Sequence, residues 1–133
     1  PLKGIEIDAA QTPDLVPVLA AVAARAEGET RITGIRRLRY KESDRIATTA
    51  ETLIRMGASI KTGDDWMTIR GAGATRGATI DPAGDHRIAM ACAVLALASD
   101  GVSVIKNAEC VSKSYPSFFE DLAEMGANVE LVS

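Results

Sequence analysis

Apolar and polar positions alternate where the chain begins, with Ile5 and Ile7 set against Glu6 and Asp8. The alternation predicts a half-buried strand over residues 2–9. Thr12-Pro13-Asp14 then reads as a helix start, with Thr as the cap, Pro at the first helical position and an acid in the first turn. Leu15, Val18, Leu19, Val22 and Ala23 follow at helical spacing, Pro17 lies early enough to be tolerated, and Gly28 closes the segment. Residues 30–35 predict a second strand. Residues 42–56 predict a second helix, with Ile46, Ala50, Leu53 and Ile54 on one side and Gly57 as its stop. Two short strands, 58–62 and 66–70, flank the turn Gly63-Asp64-Asp65.

The order then repeats. Residues 78–81 predict a strand, and residues 84–100 a helix apolar on nearly every face, which places it in the core. A strand over 102–106 follows. A helix opens at Ser114-Tyr115-Pro116, carries Phe118, Phe119, Leu122 and Met125, and stops at Gly126; residues 128–132 predict a last strand. Leu53-Ile54-Arg55-Met56-Gly57-Ala58 is echoed by Leu122-Ala123-Glu124-Met125-Gly126-Ala127, and Asp14 and Asp85 hold matching places at the first helix of each copy. The expectation is an α/β chain of two like units, about 1–72 and 77–133, packed on each other.

Composition narrows the function. The 133 residues are 47% hydrophobic and 25% charged, which excludes a disordered tail, and the net charge of −3 argues against a general nucleic-acid or membrane-surface binder. Any anion site is therefore local. Cys92 and Cys110 form no Cys-x-x-Cys pair and spell out no zinc site, so they are expected to be reduced, buried thiols of a cytoplasmic protein. The apolar run 88–98 is too short to span a bilayer, and no signal peptide is visible. The chain opens at Pro1 directly in strand-like sequence, which suggests a piece of something larger.

Candidate chemistry gathers at helix starts, where free N–H groups and the positive dipole end suit anions. The densest cluster is Arg36-Arg37-Leu38-Arg39-Tyr40-Lys41-Glu42-Ser43-Asp44-Arg45. Lys41 and Arg45 are four apart and share a face if Lys41 lies in the first turn. Arg45 offers a planar fork for carboxylate or phosphate, and Glu42 among cations stays ionised or shuttles a proton. Read blandly, the stretch is a solvated charged face with local ion pairs. Asp85-His86-Arg87 opens the apolar helix; Arg87 suits an anion, or else Asp85 caps the helix and pairs with Arg87. His86, the sole histidine, is given no role. Lys113 stands before another helix start, and Asp14 is either a favourable charge at a helix dipole or a general base. Gly71-Ala72-Gly73 lacks the lysine of a phosphate loop. If the units pack with their helix starts on one side, these residues form a site for a small ligand bearing phosphate and carboxylate, with proton transfer at hand.

Three stretches, Arg39-Tyr40-Lys41-Glu42-Ser43-Asp44-Arg45-Ile46, Asp85-His86-Arg87-Ile88-Ala89-Met90 and Lys113-Ser114-Tyr115-Pro116-Ser117-Phe118-Phe119, resemble the 3-phosphoshikimate 1-carboxyvinyltransferase (EPSP synthase) family, as does Gln11-Thr12-Pro13-Asp14-Leu15-Val16-Pro17. The resemblance implies an inside-out α/β barrel domain of βαβαββ units, of which this chain carries the last two of the C-terminal domain. It implies transfer of the enolpyruvyl group of phosphoenolpyruvate to the 5-hydroxyl of shikimate 3-phosphate, with release of phosphate and no cofactor or metal. By motif position, Asp14 holds and deprotonates that hydroxyl, and Lys41 binds the same substrate. Arg45, Arg87 and Lys113 grip phosphoenolpyruvate, or glyphosate in its place, and Glu42, with Lys113 as the alternative, serves the methylene proton. Arg37 stands where many members have an Asn that contacts shikimate 3-phosphate, and Tyr40 where a smaller aliphatic is common. The family's N-terminal domain supplies further contacts, so the chain alone is expected to fold, not to turn over, and to expose apolar surface that favours self-association. Two other readings stand beside this one: a non-catalytic anion-binding module, and UDP-N-acetylglucosamine 1-carboxyvinyltransferase, which shares the fold but lacks these combined motifs.

Overall fold

The computed structural model describes residues 1–71 and 73–132; Ala72, within the Gly71-Ala72-Gly73 stretch of the sequence, and Ser133 lie outside the described residues. The first half builds strand β1 (Glu6–Asp8), helix α1 (Val16–Ala23), β2 (Glu29–Thr33), α2 (Arg45–Arg55), β3 (Ser59–Thr62) and β4 (Trp66–Arg70). They form a four-stranded sheet in the order β1-β2-β4-β3, with β1 parallel to β2 and the other pairs antiparallel. The second half builds β5 (Thr79–Ile80), α3 (His86–Leu97), β6 (Val104–Ile105) and α4 (Phe118–Glu124), with β5 parallel to β6.

The two halves repeat down to single hydrogen bonds. Lys3 bridges Glu27 beside β1, and Arg76 bridges Asp100 beside β5. After each first strand an aspartate side chain accepts from the backbone two residues on, Asp8 from Ala10 at 3.0 Å and Asp81 from Ala83 at 2.9 Å. Each second helix ends the same way: Gly57 and Gly126 sit at φ 99° and 108°. Beyond them Ala58 N–H donates to Leu53 O and Ala127 N–H to Leu122 O, both at 3.0 Å. That left-handed closure is the physical content of the Met-Gly-Ala echo.

Several expectations are corrected. Helix α2 starts at Arg45, not 42, because the Asp44 side chain caps it by accepting from Ile46 N and Ala47 N at 3.1 and 3.2 Å. Its buried stripe is Ile46, Thr49, Thr52 and Leu53, whereas Ile54, one residue round the helix, is exposed. Thr12 makes no side-chain cap, and Pro13–Leu15 form a 3-10 turn ahead of α1. On α1 the small residues Ala20, Ala21 and Ala23 are buried while Val18 and Val22 are exposed, as is Leu15 in the turn before it. An all-apolar helix gives periodicity no face to choose, and α1 turns its alanines inward, packing closely along α3. Met125 of the α4 pattern and Val94 and Leu97 of α3 are likewise exposed. Residues 127–132 form no strand: β3 has β4 to pair with, and residues 128–132 pair with no strand among the described residues. Cys92 is buried as expected, but Cys110 only partly.

The main core joins Ile32, Ile35 and Leu38, Met67 and Ile69 of β4, Ile46 and Leu53 of α2, and Ile88 and Leu95 of α3. A second cluster sets Val111 and Phe118 against Ala89 and Ala93 of α3. Among the described residues no helix is long and apolar enough to cross a membrane.

Candidate functional site

The packing of α1, α2 and α3 puts their starts on one side. A pocket of about 220 Å³ there is lined by Asp14, Lys41, Glu42, Arg45, His86 and Arg87. Asp14 comes from the 3-10 turn before α1, Lys41 and Glu42 from the loop before α2, and Arg45 is the first residue of α2. His86 and Arg87 open α3 behind the cap Asp85, whose carboxylate accepts from Arg87 N at 3.0 Å.

Arg45 is the hub. Its side chain is 2% exposed, against 0% for Asp85, 30% for Glu42 and 52% for Asp14. Nε and Nη2 donate to the two oxygens of Asp85 at 2.8 and 3.2 Å, and Nη1 to Asp14 Oδ1 at 3.0 Å. Nη2 also donates to Glu42 Oε2. Burial alone would push the Asp85 carboxyl up; hydrogen bonds from Arg45 and Ser43, with the Arg45 charge, reverse this and hold it below the usual range. Burial likewise disfavours the charged Arg45, and the Asp85 bond with three carboxylate charges outweighs it, so the guanidinium stays fully charged.

Three cations are held more loosely. Lys41 Nζ is 3.9 Å and Arg87 Nη2 4.0 Å from Asp14, and Lys113 Nζ is 3.9 Å from Glu42 Oε1, all beyond good hydrogen-bond range. Their side chains are 34%, 37% and 61% exposed. Ionised groups without close partners and open to water are available to an incoming anion.

The structure thus brings Asp14, Lys41, Glu42, Arg45, Arg87 and Lys113 together. Lys41 precedes α2 rather than riding its first turn, so the loop and not helical spacing brings it to Asp14. Asp85 does cap α3, but its side-chain partner is Arg45 rather than Arg87. Arg37 lies outside the pocket lining and donates to the Ala10 carbonyl at 2.9 Å, bracing the segment that leads to Asp14. His86 is the residue the sequence reading missed. It is 6% exposed, with Nε2 3.0 Å from Glu42 Oε2 and Nδ1 2.6 Å from Ser114 Oγ. Its place between Asp85 and Arg87 was the available signal. Donor atoms of Glu42, Asp85 and His86 lie within 4.8 Å of one another, but Arg45 already supplies the positive charge there.

The profile of the EPSP synthase (3-phosphoshikimate 1-carboxyvinyltransferase) family matches residues 1–122. A 3-phosphoshikimate 1-carboxyvinyltransferase of Methanocella arvoryzae is 52% identical over 130 residues, covering 98% of this chain and 31% of the relative. That of Methanopyrus kandleri is 47% identical over 131 residues, covering 98% and 30%. Among solved structures, an EPSP synthase from Acinetobacter baumannii superposes with a TM-score of 0.90 at 36% identity, covering 99% of this chain and 32% of that one. The enolpyruvyl transferase NikO from Streptomyces tendae gives 0.81 at 26% identity, covering 98% and 29%. The chain therefore spans about a third of the length of the relatives it matches.

Proposed function

The chain belongs to the EPSP synthase family, and on that premise we propose that it supplies one wall of a site transferring the enolpyruvyl group of phosphoenolpyruvate to the 5-hydroxyl of shikimate 3-phosphate. The observation that carries this reading is the ring of Lys41, Arg87 and Lys113, loosely paired and exposed around Asp14 and Glu42. Two anionic substrates need cations that are free to meet them, and two carboxylates can move the protons.

Asp14 takes the proton of the 5-hydroxyl as its oxygen attacks C2 of phosphoenolpyruvate. Glu42, with Lys113 as the alternative, gives a proton to the methylene carbon and takes one back as the C2–O bond to phosphate breaks, and the departing phosphate carries away the proton that Asp14 took. Lys41 binds shikimate 3-phosphate; Arg87 and Lys113 bind phosphoenolpyruvate, and glyphosate in its place would meet the same cations. Arg45 lines this ligand place, and its four hydrogen bonds to Asp14, Glu42 and Asp85 make holding the carboxylates its main task. Arg37 acts on the shikimate side through the Ala10 segment. Residues 1–72 and 77–133 are read as the two units of one domain, and the facing wall as part of the relatives' length that this chain does not span. A reduced, cytoplasmic setting fits the two unpaired thiols.

The test is a chimera in which this chain replaces the matching 130 residues of the Methanocella arvoryzae relative. The expected result is phosphate release that requires both phosphoenolpyruvate and shikimate 3-phosphate and falls roughly 10- to 100-fold in Arg87→Ala, the worth of one charged hydrogen-bonding contact. A folded chimera that binds neither substrate overturns the reading, and release driven by UDP-N-acetylglucosamine instead assigns the sister reaction.

A further inference from the structure

The two oxygens of Glu42 have different surroundings. Oε2 accepts from Arg45 Nη2 and lies 3.0 Å from His86 Nε2, while Oε1 has no hydrogen bond among the described residues and lies 3.9 Å from Lys113 Nζ. An oxygen that already accepts from a buried guanidinium is a poor place for a proton, so Oε1 is the exchanging oxygen. The bond from His86 joins that from Arg45 in keeping the carboxylate turned this way, and as a donation to Oε2 it requires a proton on Nε2.

A neutral imidazole carries one proton, and its position is set by the partner of the other nitrogen. Nδ1 of His86 lies 2.6 Å from Ser114 Oγ, inside a surrounding that leaves His86 6% exposed. With Nε2–H donating to Glu42, Nδ1 accepts and the Ser114 hydroxyl donates. The opposite tautomer would aim a lone pair at a carboxylate oxygen 3.0 Å away. Ser114 is itself held by its N–H donating to Val111 O at 3.1 Å, and Val111 is buried against α3. The segment that presents Lys113 to Oε1 therefore also presents Ser114 to the far side of His86.

We propose that Ser114 is a positioning residue: its hydroxyl locks His86 in the Nε2–H tautomer, which pins Glu42 Oε2 and leaves Oε1 to exchange the substrate proton. The wiring rests on geometry alone; the role of Oε1 rests on the proton-transfer reading of Glu42 given above.

His86 is the chain's sole histidine, so a histidine-labelled sample gives a single imidazole in a two-bond ¹H–¹⁵N correlation spectrum. At a pH where the spectrum itself shows a neutral ring, the expected pattern is Nε2–H. Ser114→Ala should give a tautomer mixture, and Ser114→Thr, which keeps the hydroxyl, should restore the pattern. An Nδ1–H pattern in the unsubstituted chain overturns the proposal whether or not any variant folds, and so does a Ser114→Ala spectrum with the tautomer unmoved. In the chimera, Ser114→Ala should lower kcat roughly tenfold, the worth of one neutral hydrogen bond, with KM little changed and with rescue by Thr. A tautomer that shifts while kcat does not leaves the wiring standing and overturns the tautomer's control of the exchanging oxygen, without touching the role of Glu42. An unmoved tautomer overturns Ser114 and leaves that role intact.

Discussion

Replacing Arg45 with Met removes the positive centre of the site and nearly preserves its volume, so the change tests the buried ion cluster rather than a cavity. Asp85, with a side chain 0% exposed, loses the bonds from Nε and Nη2 at 2.8 and 3.2 Å. It keeps those from Ser43 Oγ at 2.8 Å and Arg87 N at 3.0 Å. Stranding one partner of a buried pair costs about 3–5 kcal/mol, and two surviving bonds place this case near the lower end, about 3 kcal/mol. Asp14 and Glu42, more open to water, rehydrate and add no more than about 1 kcal/mol each. The sum is a large fraction of the roughly 5–15 kcal/mol that holds such a domain together. The sign with pH is also defined. In the unsubstituted chain the Asp85 carboxyl is held below its ordinary 3.8, so its stabilisation is full above that value and lost as pH falls through the lowered one. Without Arg45, burial is the dominant influence and lifts the Asp85 carboxyl above 3.8. The destabilisation is then full at neutral pH and relieved as pH falls through the raised value. Urea unfolding should show a gap of about 3 kcal/mol near pH 7 that narrows as the solution is made more acidic. A gap below about 1 kcal/mol, or one that does not change with pH, would refute the reasoning.

Other consequences follow from the same geometry. A Cβ at Gly77 would lie 2.2 Å from the Val102 carbonyl oxygen and one at Gly4 2.3 Å from that of Glu29. Thermal melts should therefore rank Gly77→Ala and Gly4→Ala well below Gly28→Ala, where φ is +83° but nothing lies within 4 Å and the cost is only about 1 kcal/mol. Burial pushes the Cys92 thiol up to about 11, so a thiol reagent near neutral pH should modify Cys92 only on unfolding. Cys110, partly open but also raised, by partial burial and then by Glu109 and Asp85, should react first and slowly. In an amide-resolved titration at low salt, shikimate 3-phosphate and glyphosate should shift residues around Asp14, Lys41, Glu42 and Arg87. Arg87→Ala should weaken the glyphosate response roughly 10- to 100-fold, and Lys61→Ala on β3 should leave it unchanged.

What could be read from the sequence follows from the range of each signal. Gly57 and Gly126 announce their helix ends because a left-handed residue is a local demand, and the structure puts both at positive φ. The repeat was legible for the same reason, although the paired turns at Asp8 and Asp81 went unread because one aspartate after a short strand is too common a pattern to stand out. The face of α1 was not legible: a helix apolar all round leaves its orientation to its neighbours, and α3 receives the alanines. The site divides along the same line. Its members could be picked from four helix starts because charge at a helix start is a local feature. Arg45 looked like a solvated or ligand-facing cation because what buries it, Asp85, lies forty residues away. His86 looked idle because its partners Glu42 and Ser114 arrive from two other segments. The cations that meet ligand in our reading, Lys41, Arg87 and Lys113, are exposed ones whose chemistry shows in their identity. Arg45, Asp85, His86 and Ser114, which hold the carboxylates in place, are defined by pairing, and pairing across segments is written in the fold rather than in any one stretch of sequence.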